Sequence, residues 1–174
     1  ASRLGFKTLC VHPMFGPAAI NPETKTVAVI PVKDADSEIR LTSKMFPSAS
    51  IEKIDVENHV RLMSIILSLP YLVNMAIAGC LLEEDLVLLR RLSGTSFLLQ
   101  YVLTQSIVQE KTELVETLIA GNKFLEATSN KFIENIEKIQ ENAGTQEFQK
   151  LHSAFRDSLS RDPDNGVFDD MRME

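Results

Sequence analysis

The chain has 174 residues, 44% hydrophobic and 24% charged, an ordinary composition for a soluble globular protein of one domain or of one domain plus part of another. Its 18 Lys and Arg against 24 Asp and Glu leave a formal charge of −6, which argues against a nucleic-acid binder with a concentrated basic face. Two cysteines, Cys10 and Cys80, allow neither a disulfide framework nor a thiolate zinc site; they fit a reduced, cytoplasmic setting, and no metal is expected.

The chain starts without signal-peptide character, since Ala1 to Phe6 holds no apolar core. Phe6 to Val11 is short, apolar and β-prone, and stops at His12-Pro13; proline keeps His12 out of the helical region, so an extended His12 is expected at the strand's exit. A loop rich in Pro and Gly follows. Thr26 to Ile30 is a second strand candidate closed by Pro31, and Ser50 to Val56 a third. Between them Asp34 or Asp36 can cap a helix ended by Pro47. Three short strands and one helix look like the tail of an α/β sheet, too little for a core of its own.

From Asp55 on, the signals are helical. The first long helix carries Ile65, Ile66, Leu69, Val73 and Met75, with Pro70 expected to kink it or mark a boundary. Further helices are expected over Glu83 to Leu92, Ser96 to Val108 and Lys111 to Ile119. A fifth carries the stripe Leu125, Phe132, Ile136, Ile139, and a sixth is capped by Thr145 after Gly144. The chain is uncharged from Leu62 to Leu82 and from Leu92 to Val108, long enough in the first case to raise the question of a membrane hairpin. Ser64, Ser68, Pro70, Asn74 and Gly79 interrupt that run, and it has no flanking belt of aromatics or cations. Helices apolar on every side, buried in a helical core or an oligomer interface, are the preferred reading, with no membrane partner. No internal repeat appears. The expected fold class is mainly α: about six helices preceded by a short α/β remnant of a Rossmann-type domain, with residues 1–55 as the remnant, 56–160 as the helical domain and 161–174 as a mobile acidic tail.

The segment His12-Pro13-Met14-Phe15-Gly16-Pro17 places an imidazole at the end of a strand before a loop, where open α/β sheets hold their ligands. An imidazole ionises near pH ~6.5, suited to accepting a proton at cellular pH; a strand-end histidine bonded to nearby backbone is the plainer alternative.

Val11 to Pro17 closely resembles the histidine motif of prephenate dehydrogenases. The resemblance runs on through Val56-Glu57-Asn58-His59, Ser68-Leu69-Pro70-Tyr71, Leu92-Ser93-Gly94-Thr95-Ser96-Phe97 and Leu118 to Asn122. It implies oxidative decarboxylation of prephenate or arogenate in tyrosine biosynthesis, with NAD or NADP as cofactor and a homodimeric helical domain. His12 would accept the ring hydroxyl proton, His59 would help hold substrate, and Gly16 and Pro17 would border it. His152 is a surface residue in this reading.

Two departures qualify the match. No Gly-rich nucleotide fingerprint precedes His12, so the cofactor is expected to be bound mainly by an N-terminal domain outside this sequence. The family's substrate-gripping arginine in the third helix is matched by Leu98, with Arg61, Arg90 and Arg91 as candidate substitutes; Val60 stands where an acidic neighbour often follows the helix-start histidine. The alternative expectation is therefore a helical dimerisation module of the same fold that has lost catalysis.

Overall fold

The structure, a computed structural model, describes residues 8–16 and 25–161. The expectations for Pro17, for the start of the first strand at Phe6 and for the tail beyond Arg161 lie outside those residues.

Three strands form one sheet in the order β1 (Val11–Pro13), β2 (Thr26–Val29), β3 (Ser50–Lys53). β1 runs antiparallel to β2 with His12 opposite Ala28, and β2 runs parallel to β3 with Val27 opposite Ile51. Central β2 is the most buried piece of the chain: Val27, Ala28, Val29 and Ile30 are all enclosed, as an uninterrupted apolar strand between two neighbours should be. The first strand lies later than its β-prone run. The β2 register decides this, since Ile30 N–H donates to the Cys10 carbonyl at 2.9 Å and Met14 N–H to the Thr26 carbonyl at 2.9 Å. His12 is thus extended, but mid-strand rather than at the exit. β3 is also shorter than expected, because Asp55 already caps the next helix.

Helix α1 (Ala35–Met45) makes the crossover from β2 to β3. Asp34 is its N-cap, accepting Ser37 N–H at 3.1 Å. Glu38, buried at the next turn, folds back so that its carboxylate accepts the N–H groups of Val32, Lys33 and Asp34 at 2.8–3.0 Å.

The helical part begins with α2 (Val56–Met63), passes through a π-helical turn (Ser64–Ser68) and continues as α3 (Leu69–Cys80). Pro70 explains the widened turn. Proline has no N–H for the carbonyl four residues back and its ring crowds that carbonyl, so the chain opens by one residue, with Leu69 N–H reaching the Ser64 carbonyl. The expected kink is therefore absorbed as a π turn. α4 (Leu86–Leu92) starts three residues later than its sequence pattern, because the Asp85 side chain accepts Val87 and Leu88 N–H and makes itself the cap. α5 (Thr95–Val108) packs on α3 around a buried polar cluster: Thr104 Oγ1 and Gln100 Nε2 both donate to Asn74 Oδ1, at 2.7 and 2.8 Å. α6 (Thr112–Ala120) follows.

The chain divides into two compact units, Ala1–Thr128 and Ser129–Glu174. α7 (Leu125–Asn142) begins in the first and continues into the second, where it is followed by α8 (Gln146–Leu159), which Thr145 caps. Between them Gly144 takes a φ of 85°, a left-handed position that glycine adopts without a Cβ penalty.

The apolar helices are not buried within the chain. Only 22% of the apolar window in Val56–Cys80, a helix long and apolar enough to cross a membrane, is enclosed. Ile66, Leu99, Val102 and Leu103 are also largely exposed. Of the two burials expected, a helical core and an oligomer interface, the described residues do not supply the first.

Candidate active site

His12 enters the site from β1 and His59 from the first turns of α2. Asp55 sets the start of that helix: its Oδ1 accepts Asn58 N–H at 2.9 Å, its Oδ2 accepts Asn58 Nδ2–H at 2.6 Å, and its own carbonyl accepts His59 N–H at 2.9 Å. Those bonds hold the Asp55 carboxyl below its ordinary ionisation range. Placed so, His59 Nε2 lies 2.9 Å from His12 Nδ1, with the rings edge-on at a centroid separation of 5.1 Å and an interplanar angle of 73°. Partial burial, and then the charge that His12 carries when protonated, push the His59 ionisation below the ordinary imidazole range. A neutral His59 can hold one ring proton and offer the other nitrogen as acceptor.

Two cavities flank the pair. One, about 310 Å³, is lined by His12, Pro13, Met14, Phe15 and Gly16 from β1 and its following turn, and by Met63, Ile66 and Leu67 from α2 and the π turn. Its volume falls at the low end of small-molecule sites, and its wall is mostly apolar, with the His12 ring as its one titratable side chain. The other, about 240 Å³, lies on the His59 side and shares Met63 and Leu67; Val60, Ser68, Thr117, Leu118, Gly121 and Asn122 complete it. The π turn therefore contributes to both. Neither sequence period nor motif pointed to Met63 or Leu67, since the widened turn that aims them has no sequence period of its own; Asn122 ends the Leu118 to Asn122 segment of the resemblance, which gave it no place at the site.

The structure brings His12, His59 and Gly16 to one place. Gly16 is exposed, and a Cβ there would meet nothing, so it lines the cavity without needing to be glycine for space. Leu98 on α5, Arg61 on α2, and Arg90 and Arg91 on α4 are all exposed, and none lines either cavity. Neither lining contains an Arg or Lys. His152 is exposed on α8 and stacks on Phe148 with centroids 6.4 Å apart.

The described residues do not fit a dinucleotide's pyrophosphate. Of the two strand-to-helix turns among them, that from β2 into α1 has its amides at Val32, Lys33 and Asp34 already bound by Glu38, beside the Asp34 carboxylate, and that from β3 into α2 is capped by the Asp55 carboxylate. A helix N-terminus filled by its own carboxylates offers an incoming anion neither donors nor favourable charge.

Sheet fragment, helical domain and a two-histidine site between them define a class of protein: a mainly helical domain joined to a piece of an α/β domain. The sequence matches the family described as prephenate dehydrogenase, dimerization domain, over residues 55–157, and the chain belongs to that family. Among solved structures it is similar to Synechocystis arogenate dehydrogenase, with 20% identity and a TM-score of 0.67 over 92% of this chain and 62% of that one. It is also similar to the A. aeolicus prephenate dehydrogenase solved in complex with hydroxyphenyl propionate and NAD+, with 14% identity and a TM-score of 0.64 over 88% of this chain and 58% of that one. The chain thus spans about three-fifths of each protein's length, and at these identities the likeness is one of fold. A search of curated proteins finds no match.

Proposed function

We propose that this chain is the substrate-binding and dimerising part of a prephenate or arogenate dehydrogenase, and that His12 is its proton acceptor. One observation carries the reading: a histidine pair 2.9 Å apart at the wall of a small apolar cavity, in a chain of this family. The substrate ring packs against Pro13, Phe15, Met63 and Ile66, with Gly16 at its border and its hydroxyl at the free nitrogen of His12. A nicotinamide cofactor, NAD or NADP, would supply the hydride acceptor for the hydroxyl-bearing carbon and would be held mainly by residues other than the described ones.

The pair works as a base in one tautomer. His12 Nδ1–H donates to His59 Nε2, which leaves the His12 Nε2 lone pair free for the hydroxyl proton. His59, neutral because its ionisation is depressed, supplies that acceptor. As the ring carbon becomes a carbonyl, the hydroxyl proton passes to His12 and the resulting imidazolium strengthens its bond to His59. Carbon dioxide then leaves, the ring becomes aromatic, and His12 returns the proton to the phenolate oxygen. His59 in this account holds His12 and borders the substrate from the second cavity. A general base of this kind contributes about 10²–10⁴-fold in rate.

The exposed apolar faces of α3 and α5 support a homodimer in a cytoplasmic setting, and we propose that a second copy rather than a membrane covers them. A second reading has its own observation. No cation lines either cavity, and Leu98 replaces the expected arginine, as in a dimerisation module that has lost catalysis. Turnover of prephenate and arogenate by the full-length protein with NAD or NADP decides between them. Activity abolished by His12→Gln supports the enzyme, and inactivity of the unaltered protein on both substrates supports the module.

A further inference from the structure

The loop from α6 to α7 meets α2 one residue from His59. Asn122 Nδ2 donates to the Val60 carbonyl at 2.9 Å, while Asn122 Oδ1 accepts Phe124 N–H at 2.9 Å. Both ends of the carboxamide are committed, one to α2 and one to the loop's own backbone. The loop is constrained from α6 as well. Gly121 N–H donates to the Thr117 carbonyl at 2.9 Å, and a Cβ at Gly121 would lie 2.5 Å from that oxygen, so no side chain fits without moving the loop. A second tie lies just beyond α2, where Ser64 Oγ is 2.7 Å from Thr128 Oγ1 and 2.7 Å from the Arg61 carbonyl.

These ties matter because no residue of α2 is fully buried. The helix is placed by its continuation through the π turn into α3 at one end and by such hydrogen bonds along its side. A ring-to-ring hydrogen bond of 2.9 Å, however, weakens once the two elements separate by a few tenths of an ångström. α2 carries one ring of the pair and β1 the other.

We propose that Asn122 is a positioning residue: by anchoring the Val60 carbonyl it holds the first turns of α2 where His59 Nε2 meets His12 Nδ1. The inference rests on the proposed role of the histidine pair, and the effect runs through the position of His59, since Asn122, though it lines the second cavity, spends both its polar ends on backbone.

Asn122→Leu, similar in volume and without either bond, tests it in the full-length protein by two readouts. In kinetics, kcat falls about 10-fold with KM within about 2-fold, because a small misplacement of a catalytic group costs rate rather than binding. In a His59→Phe background the same substitution changes kcat by less than about 2-fold, the non-additivity of residues acting through one another. In ¹⁵N spectra of the imidazoles, His59 titrates closer to the ordinary histidine range in the variant than in the unaltered protein. An equal kcat loss in both backgrounds, or an unmoved His59 titration, overturns the proposal. If Asn122→Leu does not fold, Asn122→Ala is read by the same measurements. If the unaltered protein turns over neither ring substrate, the dehydrogenase reading fails by itself and the imidazole titration still decides the role of Asn122.

Discussion

His12 shows how much of a site one residue can announce and how much it leaves to its neighbours. A histidine before Pro-Met-Phe-Gly is readable as a base candidate, but its usable tautomer depends on His59, which lies 47 residues away in sequence and 2.9 Å away in space. His12→Gln is expected to lower kcat at least about 100-fold while leaving nucleotide affinity nearly unchanged, as stopped-flow kinetics and a nucleotide titration would show. His59→Phe removes the acceptor without opening space and is expected to cost less, about 10-fold in kcat, since the base itself remains.

Glu38 gives a stability prediction with a definite sign. Its carboxyl is held below the ordinary range by the N–H groups of Lys33, Val32 and Asp34. The stabilisation is present above the ordinary carboxylate range, where the unfolded chain is also ionised, and is lost as pH falls through the lower folded value. The melting temperature should therefore decline on acidification below about pH 4.5. In Glu38→Gln it should be lower at neutral pH and flatter across the same acid range; an unchanged acid slope would remove Glu38 from this role. His59 acts in the same direction at higher pH. Its depressed ionisation means that the unfolded chain takes up the proton first, so stability falls as pH drops from about 6.5 toward the folded value.

Among the elements, those whose boundaries depend on local chemistry match the sequence closely. Asp34, Asp55 and Thr145 each accept a backbone N–H three residues on, and α1, α2 and α8 begin there. α4 departs from its pattern because Asp85 is a better cap than any residue before it. The π turn departs for a different reason: Pro70 signals a disturbance, but the sequence does not say whether the helix stops there or, as here, opens by one residue and continues, with Leu69 N–H reaching the Ser64 carbonyl. The Asn74 cluster is not legible at all from apolar periodicity, because its partners come from another helix. Asn74→Ala leaves Gln100 and Thr104 without their shared acceptor in a buried position and is expected to destabilise by about 1–3 kcal/mol in urea unfolding. Asn74→Leu combined with Thr104→Val and Gln100→Leu should recover part of that loss by replacing all three partners with apolar groups; a triple variant no better than Asn74→Ala would show that packing, not the unmet polar groups, sets the cost.

At the scale of the molecule, the exposed face of α5 is the main unresolved demand. Leu98 and Val102 lie one turn apart, as do Leu99 and Leu103, so most of that helix's outward surface is apolar. The proposed dimer predicts sedimentation at twice the chain mass in detergent-free buffer. Val102, 61% exposed, is a direct probe: Val102→Glu would place an unpaired charge in the proposed interface and should weaken association by at least about 10-fold. A monomeric unaltered protein, or a dimer indifferent to Val102→Glu, would show that this face is not the interface.

Local chemistry alone accounts for the helical class, most of the helix caps and the short strands, since all of these follow from neighbours within a few positions along the chain. Tertiary packing decides the rest. Pairing with β2 places His12 within a strand instead of beyond it; the widened turn aims Met63 and Leu67 at two cavities; the α6–α7 loop reaches back to α2 beside His59. Such features join segments far apart in the chain, and no period or motif within one segment carries the geometry of the other.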